Sequence, residues 1–328
     1  MSVTLSAIDR MIGQIDRLHS VPAVAQKILG LIREPDFNLA EVAACLEHDP
    51  ALSARVLGLV NSSRYSPASR VTSIRQAAAL LGQRTLKLVT LSFSLIDAFS
   101  RGAHRQLFQD YWKRALTTAT VAQRLAVRTK QSCRDEAYSA GLVADLGILA
   151  LAHALGEHYV QLYSQFVHGP ELVAAEVGAI GFDHAELGAR LLERWGLPAQ
   201  VISAVAGHHR PAADCDPMIT VVHAGWLMSE ALWTPNSPHV SAARDFLNER
   251  CGVGLDDFIE LALACRNDIN ESADAFGISL SEQVNSEQLI DEARRLSFAA
   301  AFDATSELDS LADVAATTSS TTSLPDAV

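Results

Sequence analysis

The chain has 328 residues, of which 49% are apolar and 20% are charged, and its net charge is −12. This balance excludes fibrous and wholly disordered proteins and is typical of a soluble globular protein with one large core or two smaller ones. The five cysteines are odd in number and show no CxxC spacing, which is the pattern of reduced thiols in a cytosol. We therefore expect no disulfides.

The charges are unevenly distributed along the chain. From Pro50 to Arg134 there are 14 Lys or Arg residues and only two acids, whereas the rest of the chain is strongly acidic. Such a basic zone attracts phosphates or an acidic partner, or it faces the protein's own acidic helices. We favour the second interpretation. The candidate anion-binding residues in the zone are Arg55, Arg64, Arg70, Arg75, Arg84 and Lys87.

Helical periodicity runs through nearly the whole chain, and no segment shows the convincing alternation of a strand. The first hundred residues predict five to six short helices. Pro22 opens one of them, and Asp49 precedes another. Ser73 and Gln76 form a capping box for a short helix that stops at Gly82, after which a further amphipathic helix continues to Phe99.

The predicted helices become longer past Ser100 and continue into a C-terminal extension. They cover residues 107–128, 134–155, 159–176 with a break at Gly169-Pro170, a helix capped by Asp183 and Glu186, residues 218–232, and then 240–251, 255–266 and 281–302. Beyond about Ser306 the sequence is too polar and too small in its side chains to bury a core, which predicts a disordered tail.

These elements predict an all-α fold built as a two-part helical bundle. An N-terminal unit (residues 1–100) packs on a second helical unit (101–234), followed by a helical extension (235–305) and the tail (306–328). The N-terminus does not resemble a signal peptide. The longest apolar run, residues 140–156, is shorter than the roughly 20 residues that span a bilayer. We expect a cytoplasmic protein that does not bind membranes.

One charged residue, Asp145, lies within the apolar segment SAGLVADLGILAL. A buried carboxylate is unfavourable unless it is paired, hydrogen-bonded or bound to a metal. The segment resembles the helix that gives the HD superfamily of metal-dependent phosphohydrolases its name. The His-Asp doublet of that helix appears here as Ala144-Asp145.

Motifs in both halves refine this resemblance. LHSVPAVAQKILGLI, HDPALSARVLGLVNSSRY and SIRQAAALLGQRTLKLV are similar in order and spacing to the HDOD family, a regulatory branch of the HD superfamily, and GLVADLG, GFDHAELGARLLERWGLP and GHH follow. The resemblance covers Leu18 to about Leu232. It implies a helical scaffold of bacterial signal transduction, in a family whose members are often fused to receiver or cyclic-dinucleotide domains.

The resemblance also implies where superfamily metal ligands would lie. The early His falls at Arg114, the doublet His at Ala144 and the late Asp at Gly225, so only Asp145 remains of that set. An arginine repels a divalent cation rather than binding it. We therefore expect no cofactor, no metal and no hydrolytic activity. In place of the metal, we predict a buried ion pair between Arg114 and Asp145.

Three histidines, His184, His208 and His209, match positions where some HD branches carry additional metal ligands. With Asp145 they could hold zinc or iron in a reduced set. However, adjacent residues of a helix point about 100° apart, so His208 and His209 do not both face one ion if their segment is helical. We favour structural histidines in a vestigial pocket formed by Arg114, Asp145, His184, His208 and His209.

The leading functional expectation is a non-catalytic signalling module that binds a partner protein or a small anionic ligand. One alternative is a residual metal-dependent phosphohydrolase that acts on a nucleotide through Asp145 and the three histidines. Another is a nucleic-acid or cyclic-dinucleotide binder that uses the basic zone. We do not favour nucleic acid, because the second helix of the helix-turn-helix-like segment has a single basic residue, Arg55, and packs its apolar face inward.

Overall fold

The computed structural model describes residues 6–18, 27, 30, 39–62, 65, 67–100, 104–130, 134–166, 169–212, 216–234, 239–276, 278, 280 and 286–299. Every regular element in these ranges is an α-helix, which confirms the predicted all-α class. The helix start at Pro22, the candidate residue Arg64 and the predicted tail lie outside the described residues. Cys45, Cys251 and Cys265 are buried free thiols, and the other two cysteines also lie outside.

The first part of the chain forms four described helices: α1 (Ala7–Leu18), α2 (Leu39–Glu47), α3 (Pro50–Asn61) and α4 (Ile74–Ser100). The Asp49 carboxylate accepts a hydrogen bond from the Leu52 N–H at 3.0 Å, and the Ser73 hydroxyl accepts from the Gln76 N–H at 3.2 Å. Both predicted helix starts are thus confirmed. At the predicted stop, Gly82 adopts φ 75° and kinks α4.

The second part contains eight helices in the described residues. They are α5 (Arg105–Arg128), α6 (Arg134–Val143), α7 (Leu146–Leu155), α8 (Glu157–Gln165), α9 (Pro170–Ile180), α10 (His184–Arg194), α11 (Ala199–Gly207) and α12 (Pro217–Trp233). The single helix predicted over residues 134–155 is wrong, because a turn at Ala144-Asp145 divides it into α6 and α7. Helices α5, α6 and α12 pack together at the centre, and α1 packs on α7 and α10.

The C-terminal extension comprises α13 (His239–Cys251), α14 (Leu255–Ala275) and a helix over residues 286–299. Helix α14 ends nine residues beyond the predicted Arg266 and packs against both α3 and α5. Just after it, Phe276 stacks edge-on against Phe93 with ring centroids 4.9 Å apart and also contacts Trp112. The extension is therefore part of one continuous hydrophobic core rather than an appended element.

Ion pairs between α5 and α14 account for part of the charge asymmetry. Arg124 lies 2.7 Å from the Asp268 carboxylate, and Arg128 lies 2.6 Å from that of Asp257. The basic zone thus faces acidic residues of the extension at these positions, as the favoured interpretation of the charge pattern expects.

The apolar segment Asp135–Leu155, which comprises most of α6 and all of α7, is long and apolar enough to cross a membrane. The sequence argument measured only the apolar run of residues 140–156, and it was therefore wrong about the length of the apolar region. However, 83% of the segment's most apolar part is buried inside the protein, so the segment serves as core here.

Replacing Phe276 by Ala tests whether the extension belongs to the core. Phe276 is 7% exposed, and its loss should lower the free energy of unfolding by about 3–5 kcal/mol in a urea titration. Phe298, at 77% exposed, is the matched control, and Phe298→Ala should change stability by less than about 0.5 kcal/mol. Equal effects of the two substitutions would show that α14 is not integral to the fold.

Candidate functional site

Asp145, His184, His208 and His209 converge on one point between three helices. Asp145 lies in the turn before α7, His184 is the first residue of α10, and the two adjacent histidines follow α11. The ligand atoms of the four side chains all lie within 4.8 Å of one another. The predicted vestigial pocket thus brings these four residues together, and we call them the Asp-His centre.

Glycine 147 permits this convergence. A Cβ atom at this position would lie 1.9 Å from the carbonyl oxygen of His184, so only a residue without a side chain lets α7 and α10 approach at their first turns. The close backbone contact places His184 beside Asp145. The motif GLVADLG therefore supplies both the glycine that permits this packing, Gly147, and the carboxylate of Asp145.

The Asp145 carboxylate is directed to histidines and not to its own helix. It makes no side-chain capping hydrogen bond to α7, and its Oδ1 atom lies 3.1 Å from His208 Nε2 and 3.4 Å from His184 Nε2. Burial by itself raises the pKa of this carboxyl group, but the hydrogen bonds from His184 and His208 outweigh it and hold the pKa well below the usual value. Asp145 is therefore ionised.

Glu176 orients His184 from the other side. His184 Nδ1 lies 2.7 Å from Glu176 Oε2, and the main-chain N–H of His184 donates to the same oxygen at 2.8 Å. Tyr159 donates its hydroxyl proton to Oε1. Burial opposes a charge on His184, but Glu176 and Asp145 raise its pKa to about 10. Because a carboxylate only accepts hydrogen bonds, Nδ1 of His184 carries a proton.

His208 and His209 are held differently. His208 Nδ1 lies 2.7 Å from the Val205 carbonyl oxygen and must donate to it, which leaves Nε2 facing Asp145. His209 Nε2 lies 2.7 Å from His184 Nε2, and its Nδ1 is buried without a hydrogen-bond partner in the described part of the chain. Burial, followed by the neighbouring histidines, keeps the pKa of His209 well below its usual value.

The argument that adjacent histidines cannot share a target was wrong for this segment. It assumed that His208 and His209 lie within a helix, but α11 ends at Gly207 and both residues belong to the following turn. In the turn the 100° helical spacing no longer applies, and the two rings lie with centroids 3.9 Å apart.

The predicted ion pair between Arg114 and Asp145 was also wrong. Arg114 instead donates from Nη1 to Glu230 Oε1 and from Nε to Asp110 Oδ2 at 3.3 Å. The Asp145 carboxylate is occupied by the histidines. Burial opposes the charge on Arg114, but Glu230 and Asp110 raise its pKa above the ordinary value, so the guanidinium stays charged. Sequence reasoning missed Glu230, which lies 116 residues away along the chain.

The position of the superfamily's late Asp cannot accept a side chain. A Cβ atom on Gly225 would lie 2.5 Å from the Thr118 carbonyl oxygen, because α12 and α5 pack backbone to backbone there. Ala144, at the place of the doublet His, is completely buried. Arg114, Ala144 and Gly225 therefore fit no metal ion, whereas three imidazoles and the carboxylate of the Asp-His centre are donors that suit one.

The candidate anion-binding residues of the basic zone differ from one another in their partners and in their exposure. Arg55 pairs with Asp97 at 2.5 Å and lies over the Trp112 ring, and Arg84 pairs with Glu136 at 2.6 Å. Arg70 and Arg75 are exposed. Burial, and then the neighbouring Arg84, lowers the pKa of Lys87.

The helical fold and the Asp-His centre place the protein among the HD-type helical proteins. Residues 18–211, more than half of the chain, match the HDOD domain family, and the chain belongs to that family. A relative from Treponema pallidum (strain Nichols), described as an uncharacterized protein, is 30% identical over 63% of this chain. The chain spans only 42% of the length of that relative.

Solved structures share the fold. An HDOD domain protein of unknown function from Geobacter sulfurreducens has a TM-score of 0.60 and 23% identity, over 82% of this chain and 97% of that one. A candidate phosphohydrolase from Shewanella amazonensis SB2B has a TM-score of 0.57 and 20% identity, over 87% of this chain and 93% of that one. A candidate signal transduction protein from Marinobacter aquaeolei VT8 has a TM-score of 0.59 and 22% identity, over 84% of this chain and 68% of that one.

A double-mutant cycle tests the new assignment of the Arg114 partner. Arg114→Ala and Glu230→Ala should each lower the free energy of unfolding by about 3–5 kcal/mol, because each leaves a buried charge unpaired. The double variant should lose less than the sum, with a coupling of about 0.5–3 kcal/mol. The control is the cycle of Arg114→Ala with Asp145→Ala, which should show weaker coupling. If the cycle with Asp145 showed the stronger coupling, the original prediction of an ion pair between Arg114 and Asp145 would be restored.

A pair of helical glycines tests the close contact between α5 and α12. Gly225→Ala should lower the free energy of unfolding by about 1–3 kcal/mol, because its Cβ atom forces the helices apart. Gly178, in α9, has no atom within 4 Å of a Cβ, so Gly178→Ala should raise stability by about 0.5–1 kcal/mol. If urea titrations find Gly225→Ala as stable as the parent protein, the helices are not in contact there.

Proposed function

We propose that this protein is a non-hydrolytic regulatory module of bacterial signal transduction, which acts in the cytoplasm by binding a partner protein or a small ligand. The observation that carries the proposal is the pairing of Arg114 with Glu230. It puts a guanidinium, 6% exposed, where a hydrolase of the superfamily would place a metal-binding imidazole. The guanidinium repels a cation, and it occupies the Glu230 carboxylate, which could otherwise serve as a ligand.

The packing of the same region supports the proposal. Gly225 and Ala144 supply no ligand atoms, and the contact of Gly225 with the Thr118 backbone leaves no space for one. A two-ion phosphohydrolase needs ligands on both sides of the reacting phosphate. Among the described residues on the Arg114 side, the carboxylates of Glu230 and Asp110 are paired with the guanidinium. The relative from Marinobacter aquaeolei is named for signal transduction, which agrees with a regulatory role.

A residual phosphohydrolase is the second candidate, and the Asp-His centre is the observation that favours it. The relative from Shewanella amazonensis is named for this activity. A nucleotide substrate would then have to bind at a centre in which His184 and His208 are almost fully buried.

If the protein is a signalling module, the domains that supply the input or output of the pathway would lie on other polypeptides or on parts of the protein beyond the family match.

A hydrolysis assay separates the two candidates. The purified protein is incubated with bis(p-nitrophenyl) phosphate and with cyclic dinucleotides, in the presence of Mn²⁺, Mg²⁺ or Zn²⁺, beside the isosteric variant Asp145→Asn. We expect the parent protein to release no more product than this variant, because Asp145 alone remains of the primary ligand set. Metal-stimulated turnover that Asp145→Asn abolishes would refute the proposal and establish the phosphohydrolase.

A further inference from the structure

We propose that the protein docks a second copy of itself, as a two-fold symmetric dimer, on a face formed by residues 67–72, α3, the start of α4 and the end of α14. Two adjoining hollows and exposed charges of opposite sign define this face. No residue that lines the hollows belongs to the Asp-His centre or to the Arg114 network. The hydrolysis assay above and the test of this dimer therefore have independent outcomes.

The two hollows form one continuous surface because Arg70 and Val71 line both of them. The first hollow has a volume of about 690 Å³ and lies between α3, residues 70–72 and the C-terminal end of α14. The second has a volume of about 460 Å³ and lies between residues 67–71 and the first turns of α4. We call the surface that contains both the two-hollow face.

Side-chain hydrogen bonds fix the backbone between the hollows. The Asn61 side-chain amide donates to the Val71 carbonyl oxygen at 2.8 Å, and its oxygen accepts from the Val71 N–H at 2.7 Å. The Thr72 N–H donates to Gln76 Oε1 at 3.1 Å. A surface that is already ordered loses little conformational entropy when a partner docks on it. The two-hollow face is preorganised in this sense.

The two-hollow face carries positive charge toward α4 and negative charge toward α14. Arg70 lines both hollows, and the exposed Arg75 lies one helical turn before Ala79 of the second hollow. Glu271 and Asp274 line the first hollow from α14. Within the described ranges, Arg70, Arg75 and Asp274 have no ion-pair partner. The two arginines and Asp274 are therefore available to charges of another molecule.

Leu80 supplies an apolar contact on the same face. This side chain is 45% exposed and lines the second hollow, whereas Leu57 and Val71 are apolar residues that line the first. Apolar side chains that fill concave surfaces of a partner form the centre of many protein interfaces. In the proposed dimer, Leu80 of each copy enters the first hollow of the other copy.

A second copy of the chain fits this charge pattern better than a partner with a single sign of charge. Glu271 and Asp274 repel a nucleic acid or an acidic peptide, and Arg70 and Arg75 repel a basic peptide. A two-fold contact uses the same patch on both copies, so each residue meets its counterpart's partner twice. Rotation by 180° brings the positive end of one copy against the negative end of the other, with Arg70 opposite Asp274.

The test measures the mass of the full chain in solution. Sedimentation velocity and light scattering over about 1–100 μM protein should find a species of twice the 35.2 kDa chain mass, and its population should rise with concentration. The measurements use physiological ionic strength. Charges more than about 8 Å apart are then largely screened, so the net charge of −12 opposes association only weakly.

Charge reversals locate the interface. Arg70→Glu and Asp274→Arg should each raise the dimer Kd at least about tenfold, because the contact occurs twice and each reversal makes both copies repulsive. An equimolar mixture of the two variants should dimerise like the parent protein, because one contact then joins the two substituted side chains and the other joins two native ones. Arg105→Glu and Glu249→Arg, at exposed positions outside both hollows, are the matched controls and should leave Kd unchanged.

A third variant tests the apolar contact. Leu80→Ser should raise Kd about 10–100-fold, because two half-exposed leucines lose their burial in the dimer. Val177→Ser, at a side chain of α9 that is 47% exposed, is the matched control and should dimerise like the parent protein. Circular dichroism should find the same helical content in both variants.

The possible outcomes are distinct. A parent protein that keeps the mass of one chain at every concentration overturns the inference. A dimer that tolerates both charge reversals overturns it as well, because the interface then lies elsewhere. If each reversal abolishes the dimer and the mixture fails to restore it, Arg70 and Asp274 do not face each other and the two-fold arrangement is wrong. Loss in each variant with recovery in the mixture supports the dimer.

Discussion

The buried carboxylate of Asp145 is stabilised by His184 and His208, and the second half of the protein is arranged around that interaction. An ionised group at this depth requires hydrogen-bond donors on several sides. Gly147 provides access for one of them by allowing the first turns of α7 and α10 to touch. Glu176 then fixes the orientation of the His184 ring.

A second buried ionic network lies on the other side of the pocket, and at its centre is a cation instead of a carboxylate. Arg114 is held by Glu230 and Asp110, and none of the three is a partner of the Asp-His centre in hydrogen bonding. Gly225 brings α12 against α5 beside this network. The pocket is therefore divided into a side that carries the paired guanidinium of Arg114 and a side that carries the Asp145 carboxylate with its histidine partners. The non-hydrolytic role proposed above rests on this division.

Much of the fold could be predicted from sequence because helix starts and stops are local. The caps at Asp49, Ser73 and Asp183 involve residues three apart, and Gly82 breaks its helix as expected. The pairing of charges could not be predicted in this way. Glu230 and Arg114 meet only through the packing of α12 on α5, and one charged residue in an apolar helix does not indicate which of several buried cations approaches it. The end of α11 at Gly207, which brings two histidines together, also depends on tertiary packing.

The most direct test of the account is a crystal structure of the protein grown with both Mn²⁺ and Zn²⁺, with data collected at the absorption edges of the two metals. The account predicts that the Arg114 guanidinium stays bonded to Glu230 and that no anomalous density lies between Arg114 and Asp145. An ion bound there by Asp145 and water, with Arg114 displaced from Glu230, would contradict the claim that this half of the pocket is closed to metal.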